Sequence, residues 1–416
     1  MLQDIILGIG GYRILKALGR DVDVCHLNES HAAFATVDLL RDTGNPKATR
    51  QRCAFTTHTP LTSGNDSFPL AMVEEALSKY TWVDWAKESV DGSINLSRLA
   101  AKYSGVTNAV SLKHRFVSEG ALGRGNVSYV TNGIYHRRWV HDELKRVYDR
   151  HLPGWQESPS LLVGAMGIPA EDLVHARNSV KKTLVAMVND RTGLHFDEGT
   201  LTISVAKRMT GYKRNNLILS DPERLQRIAG ERGDLQVIIA GKAHPRDDVG
   251  KGILADAIKR ADQLNRGSQR VKVAILENYD IEMAKLLVAG SDVWLNTPRR
   301  PLEACGTSGI KAAMNGALNF SVYDGWWLEG GIEGVNGWGI GRRPGWDDLS
   351  GPVDREDVDD MYRKLAEEVV PTYYNDKERW WDMSRTSIAT VGPLFNSYRM
   401  VEDYVTKVYS LLRRDS

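Results

Sequence analysis

Apolar runs of strand length recur through the second half of the chain, at Leu201–Ala206, Leu235–Ala240, Val271–Leu276, 292–295 and Leu318–Val322, with helical segments such as 253–264 and 280–289 between them. Strands that are apolar along their length need cover on both faces, and a helix between each pair supplies it in a parallel, doubly wound sheet. The first half carries a weaker version of the same rhythm. Residues 22–28 alternate and are β-prone, a helical stretch begins at His31, 53–58 is strand-like and closed by Pro60, and 70–80 reads as a helix. The expected fold class is α/β, with two Rossmann-like domains.

Residues 140–196 are mostly helical and charged, with breaks at Pro153-Gly154 and Pro169, which places the domain junction near residue 195. The expected division is 1–195, 196–390 and a terminal helix over 391–416. That helix is predicted from Tyr398, Val401, Tyr404, Val405 and Val408 at i, i+3, i+4 spacing behind an asparagine cap at Asn396. The glycine-dense stretch 329–351 reads as an irregular surface loop. Gly8, Gly10 and Gly11 invite a nucleotide-binding reading, but no strand precedes them, as the dinucleotide fingerprint requires.

A chain of 416 residues with a formal net charge of +1 has no dominant surface sign, so neither nucleic acid nor an anionic membrane is expected as a partner. The three cysteines, Cys25, Cys53 and Cys305, lie far apart with no metal-ligand spacing, which argues against a disulfide framework and a zinc site and fits a reducing cytoplasm. No segment approaches the roughly 18 uninterrupted apolar residues of a membrane span.

Chemistry concentrates in Glu303-Ala-Cys-Gly-Thr-Ser-Gly-Ile-Lys311, a loop with two glycines and two hydroxyl residues feeding a helix. Free N–H groups at such a helix start make a seat for phosphate, and a lysine one turn in either neutralises the anion or forms a Schiff base with an aldehyde cofactor. Alone, the stretch fits a capped surface helix equally well. Lys207, Arg208, Lys213 and Arg214 follow an apolar strand, so this basic group is expected at the ligand-binding edge of the sheet. His58, at the end of its own strand, and Glu29 and His31 nearby are further candidates, each with a structural role as the alternative.

Six stretches taken together in order, TTHTP, TNGIYHRRW, KRMTGYKR, GKAHP, LENYD and EACGTSGIK, resemble the α-glucan phosphorylases of the short prokaryotic type, from about Gly8 to the C-terminus. The resemblance implies the GT-B architecture, two Rossmann-like domains facing each other across a cleft. It also implies phosphorolysis of glycogen, starch or maltodextrin to glucose 1-phosphate with retention, with pyridoxal 5′-phosphate as cofactor. The 5′-phosphate of that cofactor, whose second pKa is about 6, exchanges a proton with the attacking phosphate.

The roles it implies fall on particular residues. Lys311 matches the lysine that carries the cofactor, Gly306, Thr307, Ser308 and Gly309 the loop around its phosphate, and Lys207 a further cofactor-phosphate ligand. Tyr279 and Trp139 match aromatics beside it. Arg208 and Lys213 match the substrate-phosphate ligands, Glu303 the carboxylate on sugar hydroxyls, and His58 and Asn132 the groups on the sugar 6-hydroxyl, with Glu29 in the same region. No metal is implied, and a homodimer is the family habit.

Departures are Cys305 for a serine and Gly309-Ile310 for an Asn-Met pair. Nucleotide-sugar transferases such as glycogen synthases share the architecture but carry a glutamate where this chain has Lys311. The family's glycine-rich loop lies upstream of the region matched by Gly8, so the first domain is expected to be truncated, with a sheet edge or face uncovered. Three readings follow: a phosphorylase, a nucleotide-sugar glucosyltransferase, and a catalytically silent glucan-binding remnant.

Overall fold

Where valine, isoleucine and leucine dominate runs of five or six residues, as at Leu201–Ala206 and Leu235–Ala240, the backbone forms strands buried on both faces. In the computed structural model, which describes residues 1–60, 66–351 and 354–412, the strands are β1 (Cys25–Asn28), β2 (Cys53–Thr56), β3 (Ser67–Pro69), β4 (Ser93–Asn95), β5 (Val106–Ala109) and β6 (Ser128–Tyr129), followed by β7 (Leu201–Ala206), β8 (Leu235–Ala240), β9 (Val271–Leu276), β10 (Val293–Asn296), β11 (Leu318–Val322) and β12 (Gly337–Ile340). They form a parallel sheet in the order β1-β2-β5-β6, a β3-β4 hairpin pair, and a parallel sheet in the order β12-β11-β10-β7-β8-β9.

The chain separates into two compact units, Met1–Thr131 with the segment from Met400 onward, and Asn132–Arg399. The helical stretch after residue 131, grouped with the first domain in the sequence reading, packs within the second unit. Its helix Ala170–Thr192 lays Leu184, Val185 and Val188 on an apolar cluster with Ile238 and Ala240 of β8. Side chains from both halves of one sheet thus decide the boundary, and no local signal near residue 131 marks it.

In the first unit the Gly8 region is helical, part of the run from Leu2 to Ala17. A Cβ at Gly8 would lie 2.7 Å from the Ala35 nitrogen, so this glycine permits close helix packing. Strand β1 is the sheet edge, and Leu2, Ile6, Leu7, Ile14 and Leu18 of the first helical run are exposed. The last helix begins at Ser397, with Asn396 Oδ1 accepting from the Arg399 N–H at 2.9 Å. Its buried contacts are Val408 and Leu412, against Ala54 and Val130. Tyr398, Val401 and Val405, expected on the docked face, are exposed.

The second sheet reverses direction at β7. From β7 the chain winds outward to β8 and β9, then returns to the other side of β7 with β10, β11 and β12. The gap between the C-terminal ends of β7 and β10 is therefore the topological switch point, where loops diverge and ligands of such sheets bind. The glycine-dense stretch departs from its expected surface loop: β12 pairs with β11, Trp338 and Ile340 are fully buried, and buried Asn336 donates to the Gly330 carbonyl at 2.9 Å. Glycine is required because a Cβ at Gly337 would sit 2.3 Å from the Asn319 carbonyl oxygen. The composition that looks like a loop is here the signature of an edge strand pressed against Trp327.

Candidate functional site

Two loops leave the switch point and are stitched together. After β7 come Lys207 to Arg214, and after β10 come Thr297 to Gly306. The Arg299 N–H donates to the Tyr212 carbonyl at 2.7 Å, and the Thr297 hydroxyl donates to the Arg214 carbonyl at 3.0 Å. Arg214, one of the four cations expected to project toward ligand, turns inward instead. It is buried with positive φ, and its guanidinium donates to the Thr297 and Pro298 carbonyls at 2.8 Å and to Asp354 and Asp357 at 2.8 and 2.6 Å. Five donors in a rigid fork suit this cross-bracing, so Arg214 is an anchor of the loop pair.

The other three cations remain at the edge. Lys213 pairs with the Glu303 carboxylate; burial opposes its charge, but Glu303 and Tyr212 outweigh burial and hold its pKa above the ordinary lysine value. Lys207 is half-buried, and among the described residues its ammonium hydrogen-bonds only the Leu295 carbonyl, at 3.4 Å. Burial first, then the neighbouring Lys213, pulls its pKa down to about 7 against the counter-effect of Glu303. Arg208 is exposed, with no side-chain hydrogen bond or ion pair among the described residues. One carboxylate, Glu303, thus acts on both Lys207 and Lys213, with Arg208 exposed on the same loop, in a chain that is nearly neutral overall.

The Gly241-Lys-Ala-His-Pro stretch explains how Lys207 is held. Its N–H donates to the Ala240 carbonyl and that of Met209 donates to Lys242, both at 3.1 Å, and a Cβ at Gly241 would lie 2.1 Å from the Lys207 carbonyl oxygen. Glycine lets the two strands run on side by side past their ends.

The Glu303 loop rests on the turn after β11. Asp324 accepts from the Glu303 N–H at 2.9 Å, and the Trp326 N–H donates to the Cys305 carbonyl at 3.0 Å. Gly306 enters the helix Thr307–Ala313 in the left-handed region, at φ 84°, and no side chain caps the helix start. The Ser308 hydroxyl accepts from the Trp294 indole at 3.1 Å, and no side-chain hydrogen bond engages Thr307 among the described residues. Gly309 packs where a Cβ would meet Asn319 Oδ1 at 2.4 Å, so it closes the helix onto β11.

Lys311 sits one turn in, its amine 3.6 Å from the centre of the Trp139 ring. Burial, with the nearby Arg138 charge, lowers its pKa to about 8. Trp139 and Tyr279 both pack on the apolar cluster that contains Trp294 and Ala312, and burial pushes the Tyr279 hydroxyl up to about 12. Asn132 approaches the same loop, its backbone amide a hydrogen-bond neighbour of the Cys305 thiol, which burial keeps protonated.

Asn315 escaped the sequence reading. Fully buried, it donates to the Trp139 and Lys311 carbonyls, both at 2.8 Å, and accepts from the His141 N–H at 2.8 Å, tying the tryptophan to the lysine it covers. The only local signal is an Asn-Gly pair after a helix, which ordinarily marks a turn.

In the first unit, Glu29 and His58 lie at the C-terminal ends of β1 and β2. Glu29 accepts from the N–H groups of Ser30 and His58 at 2.9 and 2.7 Å and from the Thr59 hydroxyl at 2.9 Å. Burial lowers the His58 pKa, partly opposed by Glu29, so the imidazole is neutral at pH 7. His31 pairs at the surface with Asp66, at 3.1 Å.

Comparison with known proteins bears on this arrangement. A family model described as carbohydrate phosphorylase matches residues 83–331, which include both stitched loops and Lys311. A maltodextrin phosphorylase of Thermococcus litoralis is 38% identical over all of this chain and 55% of its own length. A glycogen phosphorylase of Aquifex aeolicus is 34% identical over 99% of this chain and 66% of its own length. An uncharacterised protein of Methanocaldococcus jannaschii is 31% identical over 98% of this chain and 73% of its own length. The chain thus spans about half to two thirds of the length of the named phosphorylases, and the matched region contains the switch-point loops and the half-buried lysine. By this match and the relatives' identity, the chain belongs to the carbohydrate phosphorylase family.

Proposed function

We propose that the chain acts in α-1,4-glucan phosphorolysis, releasing α-D-glucose 1-phosphate from glycogen or maltodextrin with inorganic phosphate, and that Lys311 carries pyridoxal phosphate. The observation that carries this is the pairing of two unusual amines in one unit. Lys311 is half-buried over Trp139 with its pKa lowered to about 8, as an imine-forming lysine requires, and Lys207 is a withdrawn cation that makes no ion pair among the described residues.

The residues fit the group chemically. Lys207, which makes no ion pair among the described residues, and the Thr307 hydroxyl, which has no hydrogen bond among them, suit a phosphate, since a withdrawn ammonium gains from an anion that reaches it. Trp139 and Tyr279 offer aromatic faces for a pyridine ring. Pyridoxal phosphate would supply a phosphate that takes and gives a proton near neutral pH.

The chain's own residues do the rest. Arg208 and Lys213 would bind inorganic phosphate and keep two like-charged phosphates together. Glu303 would accept from sugar hydroxyls, its backbone held by Asp324. Asn132, and His58 and Glu29 in the first unit, are assigned to further contacts with the glucan. A neutral His58 both donates and accepts, which suits a hydroxyl. A cytoplasmic location and a homodimer belong to the same proposal; no helix among the described residues is long and apolar enough to cross a membrane.

The test is reconstitution with pyridoxal phosphate, borohydride reduction and peptide mass spectrometry, beside a phosphate-dependent assay for glucose 1-phosphate. Label on Lys311, with release of product that Lys311→Ala abolishes, is expected. Label elsewhere would overturn the assignment of the cofactor, and label on Lys311 without product would overturn the activity of this chain while leaving the site intact.

A further inference from the structure

At the opposite edge of the second sheet, where β7 and β10 begin, a cavity of about 520 Å3 opens between the helix Ala170–Thr192 and the helices Val370–Asn375 and Lys377–Val391. This is the size of small-ligand sites, about 300–1,000 Å3. None of the residues assigned above to phosphorolysis lines it.

Its floor is a network of paired groups. Buried Lys181 joins Asp292 and donates to the Thr200 carbonyl at 2.8 Å and the Tyr373 hydroxyl at 2.9 Å; that hydroxyl donates onward to the Gly199 carbonyl at 3.1 Å. The Tyr374 hydroxyl is held at 2.7 Å from the Asp234 carbonyl, which fixes a second ring.

The rim is the reverse. Asn178, Glu198 and Trp381 line the cavity, and no side-chain hydrogen bond or ion pair engages any of them among the described residues. The Lys377 amine lies over ring faces, 3.5 Å from the centre of the Tyr373 ring and 5.8 Å from that of Tyr374; burial lowers its pKa, with Asp292 opposing and Lys181 adding to the effect. An amide, a carboxylate, an ammonium and an indole thus converge on one concavity with aromatic surface beside them.

That lining selects a ligand class. Positive and negative groups balance, Lys181 with Asp292 and Lys377 with Glu198, so neither a phosphate nor a polycation finds an excess of opposite charge. Donors (Asn178, Lys377, Trp381) and acceptors (Asn178, Glu198) share the lining with the rings of Tyr373 and Tyr374, a mixture that suits hydroxyls, which both donate and accept, on a ring with C–H faces. We propose that this cavity is a saccharide site, taking one or two neutral hexose units. It stands apart from the switch point and does not depend on the phosphorylase reading.

The experiment is calorimetric titration of maltose into the Glu303→Ala chain, without phosphate or cofactor, so that the proposed catalytic subsite is disabled. Saturable binding is expected, weakened at least tenfold by Asn178→Ala and by Glu198→Gln, two exposed positions whose variants should melt as the parent does; Trp381→Leu provides a third. Absence of maltose binding to the Glu303→Ala chain would overturn the proposal, as would binding that folded cavity variants leave unchanged. Preferential binding of adenosine over maltose would also overturn it.

Discussion

Replacing Asn315 with alanine tests how the lysine and its tryptophan cover are held in register. Three buried hydrogen bonds are lost, to the Trp139 and Lys311 carbonyls and from the His141 N–H, each at 2.8 Å. At about 1 kcal/mol net for each bond the loss is about 3 kcal/mol, and the His141 N–H left without its acceptor argues against a smaller value. For a domain of 150–250 residues, about 3 kcal/mol corresponds to a melting-point decrease of roughly 6–12 °C. Calorimetry reads this directly. The same variant frees the Trp139 segment from the Lys311 helix, so solvent should reach the amine and raise its pKa toward the ordinary value. Borohydride-trapped labelling of Lys311 as a function of pH reads that second effect. A melting decrease under about 2 °C with an unaltered labelling profile would refute the argument, because it would mean that the three bonds carry neither stability nor position.

Lys207→Met addresses the withdrawn cation. With a folded pKa near 7 against an ordinary lysine value near 10.5, the unfolded chain binds more protons between those limits, so wild-type stability should rise across that window. Lys207→Met should remove that contribution, stabilising the protein most at pH 7 and below; an identical pH slope in urea titrations of both proteins would contradict it. Inorganic phosphate should raise the wild-type melting point more than that of Lys213→Met, measured at constant ionic strength. Gly241→Ala drives a methyl to 2.1 Å from the Lys207 carbonyl oxygen and should cost about 1–3 kcal/mol in urea unfolding; a cost below 0.5 kcal/mol, on the order of an ordinary surface change, would be inconsistent with the tight strand contact. Wild-type Lys311 labelling by pyridoxal phosphate and borohydride at limiting reagent should be half-maximal near pH 8 and shift upward in Trp139→Ala, and an unshifted midpoint would argue against burial by that ring.

Much of the second unit was legible in the residue order. Largely apolar runs of five or six residues bounded by charged or glycine-rich segments are a local property, and β7, β8, β9 and β11 fall where those runs lie. The loop from Glu303 into the Lys311 helix was legible for the same reason, since glycines followed by helical spacing need no distant partner to be read. Where glycine serves a contact distant in sequence, the same reading failed. Residues 329–351 carry loop composition yet supply β12, because Gly337 allows an approach to Asn319 that any side chain would block. Gly8 likewise serves a helix crossing.

Residue order alone determined the α/β class, the position of the glycine-containing loop that feeds the Lys311 helix and the family, because periodicity and short motifs depend on neighbours within a turn or two. Tertiary structure alone decided that Arg214 braces two loops while Lys207 and Lys213 stay at the edge, that Asn315 joins Trp139 to Lys311, and that Asn178, Glu198 and Trp381 meet Lys377 at a cavity at the far edge of the sheet. Each of those outcomes depends on which carboxylate, carbonyl or ring arrives from a distant part of the chain. A lysine's charge state is a property of that assembled environment: the residue type supplies the amine, and the packing around it sets how readily the amine gives up its proton.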